Sequence, residues 1–268
     1  SGGSKSADLI NWCHNDTNNS SETCDFVTWH HGGFMLIRGD IRGYSTCLKA
    51  CRGVDVIFHE AALRSVPKSM KAPHDYNDVN IDGILNMLEA ARENKVRRFV
   101  FASSSSVYGD PGTFPEKEDF YPMLISPYAL SKLAGEYYCR IFHENFGVEC
   151  VSLRYFNVYG PRQALDDEYA VVVPKFIHCI LNDEPPPIFG NGLQSRDFTY
   201  IDNVVEANIL AATVPLTSQG RNVTKSPGAS GALRNTHDTP HPAPNTLVFN
   251  IANGSDNTVL HLVDVLNK

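Results

Sequence analysis

A tyrosine and a lysine one helical turn apart are the residues of this sequence best placed to do chemistry. Tyr128 and Lys132 stand at positions i and i+4, so on a helix their side chains meet on one face. Ser126 is a favourable N-cap, Pro127 suits the first helical position and Gly147 suits the end, which predicts a helix here. An ammonium group beside a phenol favours the phenolate and lowers the pKa of the tyrosine, which would make Tyr128 a base near neutral pH.

Four consecutive serines follow an apolar run that is typical of a buried strand. The run covers residues 96–102, and the serines occupy positions 103–106. In open α/β sheets the carboxyl ends of the strands carry the chemistry, so these hydroxyl groups are predicted at the functional edge of the sheet. A polar strand end that caps nearby backbone is the competing interpretation for Ser103 and Ser105 taken singly, and it suits all four serines less well.

Strands and helices alternate along the chain. Strands are predicted over residues 34–38, 54–59, 96–102 and 148–154, with helices between them. This alternation predicts an α/β fold with a doubly wound parallel sheet in which each of these strands is buried. A helix over 171–180 and a stiff proline link at 185–187 predict a smaller lobe after residue 160.

The combination of a serine-terminated strand with a capped Tyr-x-x-x-Lys helix resembles the catalytic arrangement of the short-chain dehydrogenase/reductase superfamily. Further motifs resemble its extended branch, the NAD-dependent epimerase/dehydratase family. They are His-Glu-Ala-Ala at 59–62, Asn-Ile-Asp-Gly at 80–83, Leu-Arg-Tyr-Phe-Asn-Val-Tyr-Gly-Pro-Arg at 153–162 and Ser-Arg-Asp-Phe-Thr-Tyr-Ile at 195–201. The resemblance implies a Rossmann-like domain over 1–160, with 1–33 atypical, and a substrate-binding lobe over 161–268.

The resemblance also implies NAD as the cofactor and gives roles to named residues. Ser104 would orient a sugar hydroxyl, Tyr128 would exchange its proton, and Lys132 would also bond the cofactor ribose, so that all three are catalytic and all three contact NAD. The other implied contacts to the cofactor are Asp40, Ile41, Ala61, Ala62, Arg64, Asn80 and Phe156. An aspartate in a strand-to-loop turn, such as Asp40, is as often structural.

A UDP-sugar is the substrate that the same resemblance implies. Arg196 and Asn157 match positions that hold the nucleotide diphosphate, to which a guanidinium gives bidentate, charge-assisted hydrogen bonds. A surface ion pair between Arg196 and Asp197 is the competing interpretation. The remaining implied contacts to the substrate are Ser65, Ser105 and Ser106.

Two residue types that are absent after the strand-end hydroxyl exclude some of the reactions of the family. Family members that remove water carry Asp-Glu directly after the strand-end hydroxyl, and decarboxylating members carry a glutamate in the second of these positions, where this chain has Ser105 and Ser106. The reaction that remains is removal and return of a hydride, that is, 4-epimerisation through a 4-keto sugar. Such a reaction would have a role in nucleotide-sugar metabolism and polysaccharide biosynthesis. The runs at 65–69, 153–163 and 170–175 most resemble UDP-N-acetylglucosamine 4-epimerases, and UDP-glucuronate 4-epimerases are the close alternative.

The first 33 residues depart from the family pattern. Their glycines occur as the pairs Gly2-Gly3 and Gly32-Gly33 with no apolar strand ahead of them, whereas a glycine-rich turn normally binds the dinucleotide pyrophosphate. We therefore expect a missing or atypical first βαβ unit and weak binding of NAD, and the end at Lys268 predicts a truncated second lobe. A catalytically dead relative, acting as a binding or structural subunit, is the alternative of another class.

Composition limits the partners and the compartment. A net charge of −7 argues against nucleic acid or an anionic membrane as the main partner. Seven cysteines without a CxxC pair are typical of free thiols in a reducing compartment, and no signal-peptide or membrane-spanning pattern is found, so we expect a cytoplasmic protein. His59 is interpreted as a packed strand-end histidine, and no metal site is expected. A flexible insertion is predicted over 215–244 from its Ser, Thr, Gly, Pro and Asn content, and a homodimer is left open.

Overall fold

The computed structural model describes residues 28–31, 34–110, 112–164, 172–216 and 247–268. The chain divides into two compact units, Ser1–Gly39 and Asp40–Lys268. The predicted insertion over 215–244 lies, from residue 217 onward, outside the described residues, and so do the glycine pairs of the first 33 residues.

The first unit holds an antiparallel strand pair, β1 (Thr28–His31) with β2 (Phe34–Ile37). The strand predicted over 34–38 therefore forms, but the prediction that it is buried in the parallel sheet is wrong. Its hydrogen-bond partner is β1, and Met35 and Leu36 are 48% and 41% exposed. A short apolar run indicates that a strand forms but carries no information about which strand it pairs with.

The second unit alternates strands and helices as the sequence predicts. Its strands are β3 (Val56–His59), β4 (Arg98–Ser104), β5 (Glu149–Tyr155), β6 (Asn157–Tyr159), β7 (Ser195–Arg196), β8 (Phe198–Tyr200), β9 (Leu247–Ile251) and β10 (Asn257–Thr258). Its α-helices are α1 (Tyr44–Ala50), α2 (Val66–Lys71), α3 (Pro73–Tyr76), α4 (Gly83–Glu93), α5 (Pro127–Phe146), α6 (Val172–Leu181), α7 (Ile201–Thr213) and α8 (Val259–Leu266). A π-helix (Asn77–Asp82) joins α3 to α4, and a 3₁₀ turn (Ser105–Tyr108) follows β4.

A parallel sheet organises this unit, with its described strands in the order β3-β4-β5-β9. Every residue of β4 is buried. On one face α1, α4 and α5 cover an apolar core to which Ile84, Leu88, Phe99 and Phe142 belong. On the other face α7 packs against the strands, where Ala212 lies in a core with Val100, Val151 and Leu153. Helices on both faces of a parallel sheet confirm the predicted doubly wound α/β fold.

Beyond residue 160 the chain builds smaller elements and then returns to the sheet. Strands β6 and β8 pair in parallel, β7 and β10 pair antiparallel, and α6 packs on α8. Because β9 pairs with β5, this later part of the chain also contributes to the central sheet. The division into domains at residue 160 stays a prediction. Among the described helices, none combines the length and the apolar character needed to cross a membrane.

Candidate active site

Helix α5 presents the predicted tyrosine and lysine, and local sequence explains where it begins and ends. The Ser126 hydroxyl accepts a hydrogen bond from the Ala129 N–H at 3.1 Å, and Pro127 occupies the first helical position. Gly147 ends the helix at φ 74°, a left-handed conformation that glycine adopts without strain. The prediction of this helix is confirmed, and it places Tyr128 in the first turn with Lys132 one turn further on.

Ser104, Tyr128 and Lys132 come together at the carboxyl end of β4. Ser104 is the last residue of that strand. Its hydroxyl donates to the Ser106 hydroxyl at 3.1 Å and lies close enough to the Tyr128 phenol to lower the pKa of Tyr128. The Lys132 Nζ donates to the Ala102 carbonyl at 2.8 Å and lies 5.9 Å from the centre of the Tyr128 ring. The structure thus assembles the three residues for which a catalytic role is predicted.

Burial, rather than the lysine, dominates the protonation of the tyrosine. Removal from water raises the pKa of Tyr128, while the hydrogen bond from Ser104 and the charge of Arg64 act in the opposite direction. The sequence-based expectation that Lys132 lowers this pKa is wrong, because the pKa is raised and Lys132 is not among the groups that shift it. Burial also lowers the pKa of Lys132 to about 8, which the charge of Glu60 partly opposes.

Asn80 fixes the loop that follows β3 to helix α5. Its side-chain oxygen accepts from the Leu63 N–H at 2.7 Å, and its amide nitrogen donates to the Leu63 carbonyl and to the Ser131 hydroxyl, both at 2.9 Å. The side chain is buried. The loop positioned in this way carries three of the predicted cofactor contacts, namely Ala61, Ala62 and Arg64.

Tyr76 supports the same loop, and the sequence analysis did not find it. Its hydroxyl donates to the carbonyls of Arg64 and Ser65, and its ring meets the Tyr128 ring edge-on with centroids 6.3 Å apart. Ser65 has φ 92°, and its hydroxyl accepts from the Lys68 N–H, which caps α2. The Ser65 hydroxyl predicted to contact substrate therefore also has a capping role.

Asp40 and Ile41, which the resemblance places at the adenine, lie beside α4. The Asp40 carboxylate pairs with Arg42 at 2.6 Å, and this hydrogen-bonded partner lowers the pKa of Asp40. The Ile41 carbonyl accepts from the Asn86 side chain at 3.0 Å, and a Cβ on Gly83 would lie 2.5 Å from the Ile41 Cδ1. Among the described contacts none joins Asp40 or Ile41 to the triad, and the arrangement agrees with the structural interpretation of Asp40.

A cleft of about 760 Å³ opens beside the triad and collects most of the predicted substrate contacts. Ser105, Ser106, Asn157 and Arg196 line it, together with Phe156, which was predicted to contact the cofactor. These residues come from the turn after β4, the end of β5, and β6 and β7. The structure therefore gathers residues more than 90 positions apart in the sequence on the walls of one cleft.

Arg196 faces this cleft without pairing with its neighbour. Its guanidinium donates to the Ser195 carbonyl at 2.6 Å. The Asp197 carboxylate instead accepts from the backbone N–H groups of Asn253, Gly254 and Ser255 at 2.8, 2.6 and 3.2 Å. The competing interpretation, an ion pair between Arg196 and Asp197, is wrong.

Two further groups of polar side chains near the triad were missed in the sequence, and the second of them is buried. The Tyr155 hydroxyl donates to the Glu60 carboxylate at 2.9 Å and accepts from Asn208 at 2.7 Å. Glu136, one turn beyond Lys132 on α5, accepts from Arg154 at 2.7 and 2.8 Å. Only the i+4 spacing of Lys132 and Glu136 could have indicated the second group.

His59 is a packed histidine, as predicted. It is 4% exposed, with ring centroids 5.5 Å from Phe99 and 6.0 Å from Phe101, and burial lowers its pKa to about 3. Within the described ranges no group of three or more His, Cys, Asp or Glu side chains could hold a metal ion.

A serine, tyrosine and lysine grouped at the carboxyl end of a doubly wound parallel sheet define the class of short-chain dehydrogenase/reductase folds. Residues 5–223 match the model of the NAD dependent epimerase/dehydratase family, and the chain belongs to that family. The predicted family is confirmed, and NAD is confirmed as the cofactor of the family and of solved neighbours.

Three relatives illustrate the similarity. A putative UDP-glucose 4-epimerase of Methanocaldococcus jannaschii is 41% identical over 161 residues, 60% of this chain and 52% of the relative. The UDP-N-acetylglucosamine 4-epimerase of Methanobrevibacter ruminantium, solved with UDP-N-acetylmuramic acid, has a TM-score of 0.69 and 38% identity over 82% of this chain and 61% of its own. The UDP-glucuronic acid 4-epimerase of Bacillus cereus, solved with UDP-glucuronic acid and NAD, has a TM-score of 0.69 and 32% identity over 88% of this chain and 65% of its own. The chain spans about half the length of the curated relatives it matches.

Proposed function

We propose that this site catalyses the NAD-dependent 4-epimerisation of a UDP-sugar, with the UDP-N-acetylglucosamine and UDP-N-acetylgalactosamine pair as substrates. One observation carries the proposal. Ser104, Tyr128 and the buried Lys132 come together at the carboxyl end of β4, and the adjoining cleft carries Asn157 and Arg196. A proton-transfer group thus lies beside a pocket suited to a phosphorylated ligand.

The triad would move one proton while C4 of the sugar changes configuration. Tyr128, as phenolate, takes the proton of the 4-hydroxyl as the C4–H bond breaks, and Ser104 holds the hydroxyl in line. NAD bound at this site would supply the hydride acceptor for C4 and the source of the hydride that returns to the opposite face of the 4-keto sugar. Tyr128 then gives the proton back, so the sugar is inverted at C4 with no net oxidation.

Lys132 fits the nicotinamide-ribose half of the cofactor. An ammonium group has three N–H donors, of which the Ala102 carbonyl accepts one. Its place beside Tyr128 suits donation to ribose hydroxyls, and a positive nicotinamide ring nearby favours the phenolate. Ala61, Ala62 and Arg64 would contact the cofactor from the loop that Asn80 and Tyr76 hold, and Asn80 would contact it from the π-helix.

Arg196 and Asn157 would hold the diphosphate away from the reacting ring. A guanidinium makes charge-assisted hydrogen bonds to phosphate oxygens, and Arg196 is exposed on the cleft wall. Anchoring the nucleotide in this way leaves the keto ring free to turn over between hydride removal and return. Ser65, Ser105 and Ser106 would contact the sugar.

The relatives leave the identity of the sugar open. Those named above act, by their descriptions, on UDP-glucose, UDP-N-acetylglucosamine or UDP-glucuronic acid. The N-acetylated pair is favoured by the sequence runs at 65–69, 153–163 and 170–175. A catalytically dead subunit receives no support from relatives of this kind.

Tyr128→Phe tests the proposed base. The change removes a single hydroxyl from the site, so interconversion of the 4-epimers in excess NAD should fall by at least about a thousandfold while the protein stays folded. Tyr137→Phe, the same substitution nine residues further along α5, is the matched control and should retain activity. Chromatographic separation of the UDP-sugar epimers measures the turnover. A folded Tyr128→Phe protein with most of its activity would remove Tyr128 from the mechanism.

A further inference from the structure

The loop after β3 holds Ser65 in a strained backbone conformation. Its φ of 92° and ψ of 111° lie outside the regions that residues other than glycine ordinarily adopt. Conformations of this kind persist only where the surrounding structure fixes them, and they cluster at functional sites. Val66, the next residue along the chain, lines the cleft in which the predicted substrate contacts collect. The strained residue therefore adjoins the cleft wall, and its conformation needs a group that holds it.

The hydroxyl of Tyr76 is that group. It donates to the carbonyl of Arg64 and to the carbonyl of Ser65, the latter at 3.0 Å. These two carbonyls belong to the peptide groups on either side of the Ser65 Cα, so one hydroxyl fixes the rotation of one peptide group relative to the other. Two carbonyl oxygens that converge on one point need a donor between them. Tyr76 is 3% exposed, so this donor is built into the interior of the protein.

The ring of the same residue contacts the proposed base. Tyr76 is the last residue of α3, which packs against α5. Its ring and the Tyr128 ring have centroids 6.3 Å apart and planes at 87°, the edge-to-face arrangement that aromatic pairs favour. This contact limits the tilt of the Tyr128 phenol. One side chain thus holds both the backbone of a predicted sugar contact and the ring of the predicted base.

We propose that Tyr76 is a positioning residue for the epimerisation, in which its hydroxyl sets the sugar contact at Ser65 and its ring sets the orientation of Tyr128. This inference rests on the proposed UDP-sugar function. The hydroxyl acts on binding of the sugar, because the backbone conformation of Ser65 decides where its side chain points. The ring acts on proton transfer, because a small misplacement of a reacting group slows the chemical step.

Tyr76→Phe separates these two roles, because it removes the hydroxyl and keeps the ring. With NAD in excess, we expect the dissociation constant and the KM of UDP-N-acetylglucosamine to rise about fivefold or more. The affinity for UDP, which Arg196 would hold, and kcat should both stay within about twofold of the wild type. Tyr76→Leu, which also lacks the ring, should in addition lower kcat about tenfold or more. Calorimetric titration measures the affinities, and initial rates of epimer formation give KM and kcat.

Tyr44→Phe is the matched control for the loss of a phenol hydroxyl. Tyr44 lies on α1, and its hydroxyl donates to the Glu93 carboxylate at 2.6 Å. This variant should keep the wild-type affinities for UDP and UDP-N-acetylglucosamine as well as the wild-type KM and kcat.

Ser65→Gly, alone and combined with Tyr76→Phe, tests whether Tyr76 acts through Ser65. Glycine adopts a positive φ without strain, so the Ser65→Gly protein no longer needs the Tyr76 hydroxyl to hold this residue. In that background Tyr76→Phe should weaken the binding of UDP-N-acetylglucosamine no further, whereas independent effects would multiply. The same comparison serves if Tyr76→Phe alone does not fold, because glycine relieves the strain.

Three results would overturn the assignment of the hydroxyl. They are an affinity of folded Tyr76→Phe for UDP-N-acetylglucosamine that matches the wild type, an equal loss of affinity for UDP, which indicates a general structural role, and a further loss of affinity in the double variant. A kcat of Tyr76→Leu equal to that of Tyr76→Phe would overturn the assignment of the ring. A folded wild type that binds neither UDP nor any UDP-sugar would instead overturn the proposed function itself.

Discussion

Lys132 is the residue at which the burial of the triad has its clearest physical consequence. The residue is 5% exposed, and its ammonium donates to the Ala102 carbonyl at 2.8 Å. Burial lowers the pKa of this ammonium to about 8. Burial acts on Tyr128 in the opposite direction and raises the pKa of the phenol. Both shifts disfavour the charged form, as expected where water is excluded. Lys132 alone therefore does not bring the pKa of Tyr128 below its ordinary value. A bound cation beside the phenol would have the larger effect on that pKa.

The pKa of Lys132 predicts how stability depends on pH. Between pH 8 and about 10.5 the unfolded chain keeps its lysine proton and the folded protein releases it. The free energy of unfolding should therefore rise with pH across this window, by up to about 3 kcal/mol from this group. Lys132→Met should lack that rise, and urea unfolding of both proteins at several pH values isolates it from the tyrosines and cysteines that titrate in the same range.

Lys175→Met is the control for this measurement because Lys175 is exposed on α6. Its pH dependence should follow that of the wild type. The free energies of unfolding of the wild type and of Lys132→Met are compared between pH 7.5 and 10.5. If they change in parallel, the assignment of a depressed pKa to Lys132 is contradicted.

A buried ion pair links helix α5 to strand β5 of the central sheet. Glu136 on α5 and Arg154 on β5 are 0% and 1% exposed. The Ser103 hydroxyl at the end of β4 donates to the same carboxylate, and the Arg154 guanidinium donates to the Tyr108 hydroxyl at 2.7 Å. Because Ser103 precedes Ser104 and Glu136 follows Lys132 by one turn, the pair fixes the strand end relative to the helix.

Glu136→Gln should therefore destabilise the protein strongly. The change leaves Arg154 buried without its counter-charge, for which we expect a loss of about 3–5 kcal/mol in the free energy of unfolding. Glu144→Gln offers a matched control on the same helix, because Glu144 pairs with Arg140 at 3.0 Å at the surface. That loss should be about 0.5 kcal/mol or less. Equal losses from the two substitutions in chemical denaturation would show that burial does not decide the strength of the pair.

Local sequence is sufficient to predict some elements of the fold and gives no indication of others. Helix α5 could be predicted because Ser126, Pro127 and Gly147 mark its ends, and β4 because an apolar run leads into the serines. The partner of β2 could not, since pairing depends on residues far apart in the chain. The burial of Glu136 could not be predicted either, because charged residues at helical spacing usually indicate an exposed face.

The candidate site also contains residues that the sequence predicted and residues that it did not. Ser104, Tyr128 and Lys132 were found because their spacing resembles a family motif, and the structure assembles them. Glu60 and Tyr76 were missed, since each acts through a contact that only the fold creates. The direction of the shift in the Tyr128 pKa was predicted wrongly, because an argument from neighbours on a helix face does not include desolvation.

At the scale of the whole molecule, the sequence of residues 1–33 predicts how tightly NAD binds. The sequence there has no glycine-rich turn to supply backbone N–H donors to the pyrophosphate. Each charge-assisted hydrogen bond to a phosphate contributes about 1.5–3 kcal/mol. Two or three lost contacts would weaken binding by several factors of ten.

We therefore expect NAD to bind weakly to this chain and to be lost on purification. Calorimetric titration of NAD into the purified protein measures the affinity, and absorbance of the protein as isolated detects retained dinucleotide. Stoichiometric NAD that survives purification would contradict the expectation and would mean that the first 33 residues contain an anion site of another kind. Activity is accordingly best assayed with NAD in excess.

The fate of the hydrogen at C4 tests the central proposal most directly. UDP-N-acetylglucosamine deuterated at C4 is incubated with the protein and excess NAD in ordinary water, and the products are analysed by NMR and mass spectrometry. Removal and return of the same hydride predict UDP-N-acetylgalactosamine that retains deuterium at C4, and no 4-epimer with Tyr128→Phe. A 4-epimer that carries solvent hydrogen at C4, or a folded protein with bound NAD and bound substrate that forms no 4-epimer, would contradict the account.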